Sequence, residues 1–128
     1  MKVYGKTVVV TGGAKGIGRA LALRFAKEGA KHVAVADLDE QAAREVAQEI
    51  GGSAHGVDVS SAAAIAKLVD DTERQHGPID LFCSNAGILI GEGLDTPDDV
   101  WRTMLDVNVM AHVYAARVLI PRMVARGA

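Results

Sequence analysis

Four short apolar runs punctuate the chain: Thr7–Val10, His32–Ala36, Ala54–Val59 and Ile79–Cys83. Three of the four are rich in Val, which suits the pleated surface of a strand. Between them lie segments of ~12–16 residues with helical spacing. Ile17, Leu21 and Phe25 fall at i, i+4 and i+8, and Gly29 stops that first helix. Asp39 caps a second, with Ala42, Ala43, Val46 and Ile50 as its apolar stripe ahead of Gly51-Gly52. Ser60 or Ser61 caps a third, which carries Ile65, Leu68 and Val69 on one face and ends at Gly77-Pro78. Thr96-Pro97-Asp98-Asp99 opens a fourth, with Thr96 predicted as the N-cap and Pro97 at the first helical position. Trp101, Met104 and Leu105 follow at helical spacing. A long last helix is predicted from Val109 to Ala125, with Pro121 kinking it near its end.

The order is therefore β-α-β-α-β-α-β-loop-α-α. Strands alternating with helices of this length imply βαβ units and a parallel sheet, an α/β class. No internal repeat, low-complexity stretch or linker interrupts the pattern, and 128 residues suggest one domain. Hydrophobic residues at 49% and charged residues at 23% exclude disordered, collagenous and fibrous classes. Aromatics are only 4%, a composition that favours close helix-on-strand packing through small residues.

Charge narrows the function classes. Fourteen Lys and Arg against sixteen Asp and Glu give −2, with no basic excess to neutralise phosphates, so no nucleic-acid partner is expected. A single cysteine, Cys83, excludes an internal disulfide framework and a multi-cysteine zinc site, and is read as an inert buried thiol. The four histidines fall on different elements, none at metal-ligand spacing, and are read as surface or core fillers. The Val107–Ile120 stretch is broken by Asn108, His112 and Arg117, so no membrane span is expected. Val8–Val10 is too short for a signal segment, and a cytoplasmic location is expected.

The candidate chemistry begins where the first strand ends. Thr11-Gly12-Gly13-Ala14-Lys15-Gly16-Ile17-Gly18 is a glycine-rich turn between a strand and a helix. Glycines let the backbone approach a pyrophosphate, and free N–H groups at the helix start face the anion. The P-loop pattern fails, because Arg19-Ala20 stand where Lys and Ser or Thr are needed. The spacing that fits is Thr-Gly-x-x-x-Gly-x-Gly, through Thr11, Gly12, Gly16 and Gly18, with Lys15 and Ile17 beside the phosphates. The plain alternative is a structural turn with incidental glycines and a solvated lysine.

Asp37 follows the second strand, 19 residues after Gly18. An acid there accepts from both ribose hydroxyls of an adenosine and repels a 2′-phosphate. Leu38 beside it brings no positive charge. The expected cofactor is NAD, with NADP the minority reading because of Lys15; the alternative role for Asp37 is a helix cap. Asp58 can accept from an exocyclic amine and Val59 can touch an adenine ring, or the pair is an ordinary strand end. Asn85-Ala86-Gly87 after the fourth strand lets the centre of a cofactor lie against the strand ends. Asn108, a polar amide in an apolar helical stretch, either binds backbone groups or serves a site.

These five motifs, in this order and on these elements, resemble the amino-terminal half of the short-chain dehydrogenase/reductase family, and the resemblance covers the whole chain. It implies a Rossmann-like, doubly wound parallel sheet in the order 3-2-1-4-5-6-7. Residues 1–128 would hold strands one to four and the two following helices, an incomplete single NAD(P)-binding domain. It further implies hydride transfer between nicotinamide and a small-molecule alcohol or carbonyl substrate. Asn108 would be the one member of the catalytic set present, positioning a lysine through a water. The family's serine, tyrosine and lysine are not found, since Tyr4 has Val8 and Tyr114 has Val118 four residues on. The chain alone is therefore expected to be inactive and prone to associate, with a homo-oligomer through its last two helices. The alternatives are a non-catalytic dinucleotide-binding protein and, remotely, a phospho-receiver domain. The latter needs acids after the first strand, where Thr11-Gly12 stand.

Overall fold

A computed structural model describes all 128 residues. Four strands, β1 (Thr7–Thr11), β2 (His32–Asp37), β3 (Ser53–Gly56) and β4 (Leu81–Cys83), form one sheet in the order β3-β2-β1-β4. Every pairing is parallel, as the alternation of strands and helices predicts. The helices are α1 (Gly16–Lys27), α2 (Glu40–Ile50), α3 (Ala62–His76), α4 (Asp98–Leu105) and α5 (Ala111–Ala125).

Alternation along the strands sends side chains to two cores. Val8 and Val10 of β1 and Val33 and Val35 of β2 pack with Ala22 of α1 and Ala43, Val46 and Ala47 of α2. Val9, Ala34 and Ala36 point the other way, against Ile65, Leu68 and Val69 of α3 and Ala111, Ala115 and Leu119 of α5. All five β1 residues are buried, as expected for a central strand covered on both faces. The small residues Ala22, Ala34, Ala36 and Ala43 are wholly inaccessible, which lets helix and sheet approach closely.

Two strands are shorter than their apolar runs. β3 ends at Gly56, because Asp58 turns the chain toward α3 by accepting from Ser60 N at 2.9 Å and Ser60 Oγ at 2.6 Å. β4 starts at Leu81, because Ile79 N donates to the Glu73 side chain at 3.0 Å. Val57, Val59 and Ile79 remain in the core although they lie outside the strands.

The last two helices depart from expectation in two ways. Thr96 does not cap α4; its Oγ1 accepts from Glu92 N at 2.9 Å and closes the preceding turn, while Pro97 occupies the N-cap position. No loop separates α4 from α5. The backbone continues through a π-helical segment, Asp106–Met110, where Ala111 N donates to Asp106 O five residues back. α5 runs on through Pro121 to Ala125 and is tied to α3 by Arg122, which pairs with Asp70 at 2.6 Å and Glu73 at 2.9 Å.

Three of the four histidines, far apart in sequence, come together around β2 and β3. The His32 and His76 rings stack at 3.4 Å, 8° from parallel. Ser53 Oγ lies 2.8 Å from His32 Nε2 and 3.0 Å from His55 Nε2. No group of three or more His, Cys, Asp or Glu is arranged to hold a metal ion.

Candidate functional site

The crossovers β1-α1-β2 and β2-α2-β3 build the sheet in one direction, and α3 carries the chain back to place β4 on the far side of β1. Ligands of open α/β sheets bind at such a reversal, outside the carboxyl ends of the strands. A cleft of about 450 Å³ lies there. It is lined by Gly12, Lys15, Gly16, Ile17 and Gly18 from the first turn, Asp37 and Leu38 from β2, and Val57, Asp58 and Val59 after β3. Asn85, Ala86, Gly87 and Ile88 after β4, with Val107 of the π segment, complete it.

Thr11 is the knot between the two central strands. Its hydroxyl, buried, donates to Cys83 O at 3.3 Å and accepts from Asn85 N at 3.0 Å and Ala86 N at 3.2 Å. Asn85 answers from the other side, where Nδ2 donates to Thr11 O at 3.1 Å and Gly12 O at 3.3 Å. Thr11 therefore shapes the cleft without lining it, whereas Asn85 both braces the first turn and lines the cleft.

The glycines have separate jobs. A Cβ on Gly12 would stand 2.8 Å from Ala86 Cα, and one on Gly18 would stand 2.0 Å from Gly12 O. Close backbone packing requires both. Gly16 has φ +52 and open space where its Cβ would be, so it faces the cleft itself. Gly13, read from sequence as a spacer, is also constrained: a Cβ there would meet Val35 Cγ1 at 2.9 Å, and its N–H donates to Ala36 O at 3.1 Å. The doubled glycine was the only signal for it.

α1 opens at Gly16 with no side-chain cap. The N–H groups of its first turn have no carbonyl within the helix, and the helix dipole adds partial positive charge at that point. Ile17 and Leu38, both on the cleft, are 75% and 77% exposed, apolar side chains left for something else to cover.

Asp37 closes the β2 end. Oδ2 accepts from Ala14 N at 3.1 Å and Oδ1 from Asp39 N at 3.0 Å, so the carboxylate is fixed in place. Each oxygen keeps a lone pair for a further donor. It does not cap α2; that is Asp39, which accepts from Ala42 N at 3.0 Å. The Ala42 N–H, with Lys15 adding to it, holds the Asp39 carboxyl below its ordinary range. Lys15 Nζ lies 3.6 Å from Asp39 Oδ2. That contact, like the linings from Val57, Ile88 and Val107, joins elements remote in sequence and left no local signal.

Asp58 is exposed and Val59 buried, side by side on the wall. On the opposite side Asn108, in the π segment, gives both ends of its amide to one residue of the loop after β4: Nδ2 donates to Ile88 O and Oδ1 accepts from Ile88 N. Burial pushes the half-buried Cys83 thiol up, which agrees with an inert thiol.

The residues that line this cleft therefore come from four of the five motifs read in the sequence; Asn108 and Thr11 stand behind the lining rather than in it. Comparison with known proteins agrees with the fold. The short chain dehydrogenase family matches residues 6–128. The chain is 39% identical to a 1-deoxy-11-beta-hydroxypentalenate dehydrogenase of Streptomyces exfoliatus, over 99% of this chain and 49% of that protein. It is 38% identical to an NADP-dependent (R)-specific alcohol dehydrogenase of Lentilactobacillus kefiri, over 98% of this chain and 52% of that protein. The structure of the apo form of LigO from Sphingobium sp. strain SYK-6 superposes with a TM-score of 0.89 at 30% identity, covering 99% of this chain and 49% of that one. The chain spans about half the length of these relatives. No helix is long and apolar enough to cross a membrane.

Proposed function

The chain belongs to the short-chain dehydrogenase family, and on that premise we propose that its cleft binds NAD as the cofactor half of an oxidoreductase acting on an alcohol/carbonyl pair. The observation that carries this reading is one convergence. The uncapped start of α1, the open face of Gly16 and the fixed carboxylate of Asp37 all meet in the same cleft at the sheet reversal.

The residues fit a dinucleotide. The N–H groups at the start of α1 would hold the pyrophosphate, as helix N-termini do for anions. Asp37 would accept from the 2′- and 3′-hydroxyls of the adenosine ribose, and its charge disfavours a 2′-phosphate. Val59 and Leu38 would flank the adenine, with Asp58 free to accept from its amine. Ala86 and Gly87, small and lining the cleft, leave room for the nicotinamide half. The cofactor supplies the hydride acceptor or donor; this chain's residues bind and orient it. Asn108 is the candidate for the catalytic set, a positioning residue that holds the Ile88 backbone beside the cleft.

Proton transfer to or from the substrate oxygen needs an acid or base of tuned pKa. Neither Tyr4 nor Tyr114 has a lysine four residues on. We therefore propose that residues 1–128 bind the cofactor without turning over substrate. The partners proposed are a small-molecule alcohol or carbonyl and a second copy of the chain.

Calorimetric titration of the protein with NAD and NADP tests the reading. NAD should bind more tightly, and Asp37→Ala should narrow the preference. Absence of binding by either nucleotide would refute it, and an unchanged preference in Asp37→Ala would reduce Asp37 to a structural brace.

A further inference from the structure

Lys15 is the one cationic side chain lining the cleft, and it is already engaged. Asp39 divides its carboxylate between two tasks: Oδ1 caps α2 through Ala42 N, and Oδ2 faces Lys15 Nζ at 3.6 Å. We infer that Asp39 is a cofactor-discriminating residue, which disfavours a 2′-phosphorylated dinucleotide by occupying the only cation that phosphate would meet. This rests on the dinucleotide reading above.

The argument is electrostatic. A phosphate monoester brings about −1.5 to −2 charges to the adenosine end of the cleft at neutral pH. Asp37 and Asp58 already line that end, and Lys15 alone offsets them. Paired with Asp39, Lys15 contributes little net charge and is drawn toward the start of α2. Both partners are well exposed, 76% and 49%, so the pair is weak and its removal shifts binding by a few fold rather than by orders of magnitude. Asp37 acts at the ribose itself; Asp39 acts through Lys15.

Asp39→Asn and Asp39→Ser both remove the charge and keep a side chain that caps a helix well. Titrated with NAD and NADP, each should bind NADP about threefold to fivefold more tightly, with NAD unchanged within about twofold. In a Lys15→Gln background the same Asp39→Asn change should do nothing. Thermal melts of the single variants within a few degrees of the parent would show that the cap has been kept; if one variant fails to fold, the other carries the test. NADP affinity unchanged in the folded variants would overturn the inference and leave the NAD reading standing. A gain that persists in Lys15→Gln/Asp39→Asn would also overturn it, because Asp39 would then act as a bare charge. Failure of the parent to bind NAD would overturn the dinucleotide reading, and this inference with it.

Discussion

Asn108 and Ile88 are locked together by a two-point contact: Nδ2 donates to Ile88 O at 2.7 Å, and Oδ1 accepts from Ile88 N at 2.8 Å. The arrangement copies the pairing of two strands, with one side chain standing in for a backbone. It fixes the segment leaving β4 against the π segment, where the helical turn is one residue wider. π segments of this kind gather at functional sites because the extra residue re-aims a side chain. Asn108→Ala should loosen the loop at Ile88 and weaken NAD binding several-fold. The stability cost should be about 1 kcal/mol, because the amide is exposed and water can replace part of the contact. Asn108→Asp keeps the acceptor, loses the donor and should fall between the two. Paired thermal melts and NAD titrations check this; full NAD affinity in Asn108→Ala would leave the contact no part in the cleft.

Gly16 and Gly18 separate backbone conformation from steric closure. Gly18→Ala drives a Cβ into Gly12 O at 2.0 Å and Asn85 Nδ2 at 2.6 Å, and the first of these is backbone that cannot swing away. It should cost about 3 kcal/mol or more, in the range of severe overpacking, and abolish NAD binding. Gly16→Ala meets nothing, and its cost is only that of a left-handed φ, about 1–2 kcal/mol. It should fold, yet its methyl occupies the mouth of the cleft and should weaken NAD binding. Chemical denaturation of both variants checks the order, and Gly16→Ala proving the less stable would reverse the assignment.

The histidine cluster predicts how stability depends on pH. Burial first, then His76, His55 and Lys31, lower the His32 pKa from 6.5 to about 4. Burial also lowers His55, with Asp71 and Glu40 opposing. A depressed histidine is neutral in the fold and takes a proton more readily when unfolded. Its contribution is therefore complete above pH 6.5, falls as the pH drops from 6.5 toward 4, and is exhausted below that. Discounted for the side chain's partial exposure, the loss is about 1–2 kcal/mol. Asp39 and Asp71, held low chiefly by the Ala42 N–H and by Lys67 respectively, lose their contributions only at lower pH. Melts between pH 7.5 and 5 should thus show a decline that His32→Gln flattens; a parallel decline in His32→Gln would place its origin elsewhere.

What could be read in the sequence was local. The β1 run and the glycine turn are contiguous in the chain, and Asp37 lies one βα crossover further on at the end of the neighbouring strand, so apolar pattern and spacing locate them. Asn85 lines the cleft, but its bonds to Thr11 and Gly12 depend on β1 and β4 being neighbours, which strand order alone decides. The π segment was invisible because Asp106–Met110 has ordinary helical composition and differs only in one hydrogen-bond offset. Thr96 misled because Thr-Pro-Asp-Asp is a sound cap signal, and the turn at Glu92 competed for its hydroxyl and won. The histidines looked unrelated because β2, β3 and the end of α3 are brought together only by the completed sheet.

One apolar surface lies outside the cleft. Trp101, Leu105 and Val109 follow at four-residue intervals from α4 into the π segment, 42%, 53% and 49% exposed. Each is already about half covered, so covering the remainder contributes half of the ~1.5–3 kcal/mol of full burial, and single apolar residues scattered on a surface do not fall in such a row. A second copy of the chain is the occupant proposed above, since an interface related by a two-fold axis sets a row of this kind against itself. Sedimentation velocity across a concentration series should show a dimer replacing the monomer as concentration rises. Leu105→Glu puts a carboxylate at the centre of the row. It should raise the dissociation constant at least tenfold, the equivalent of about 1.4 kcal/mol, while leaving the melt little changed because Leu105 is not in either core. A parent that sediments as a monomer at every concentration would remove the dimer. A Leu105→Glu variant that associates as the parent does would move the interface to another face.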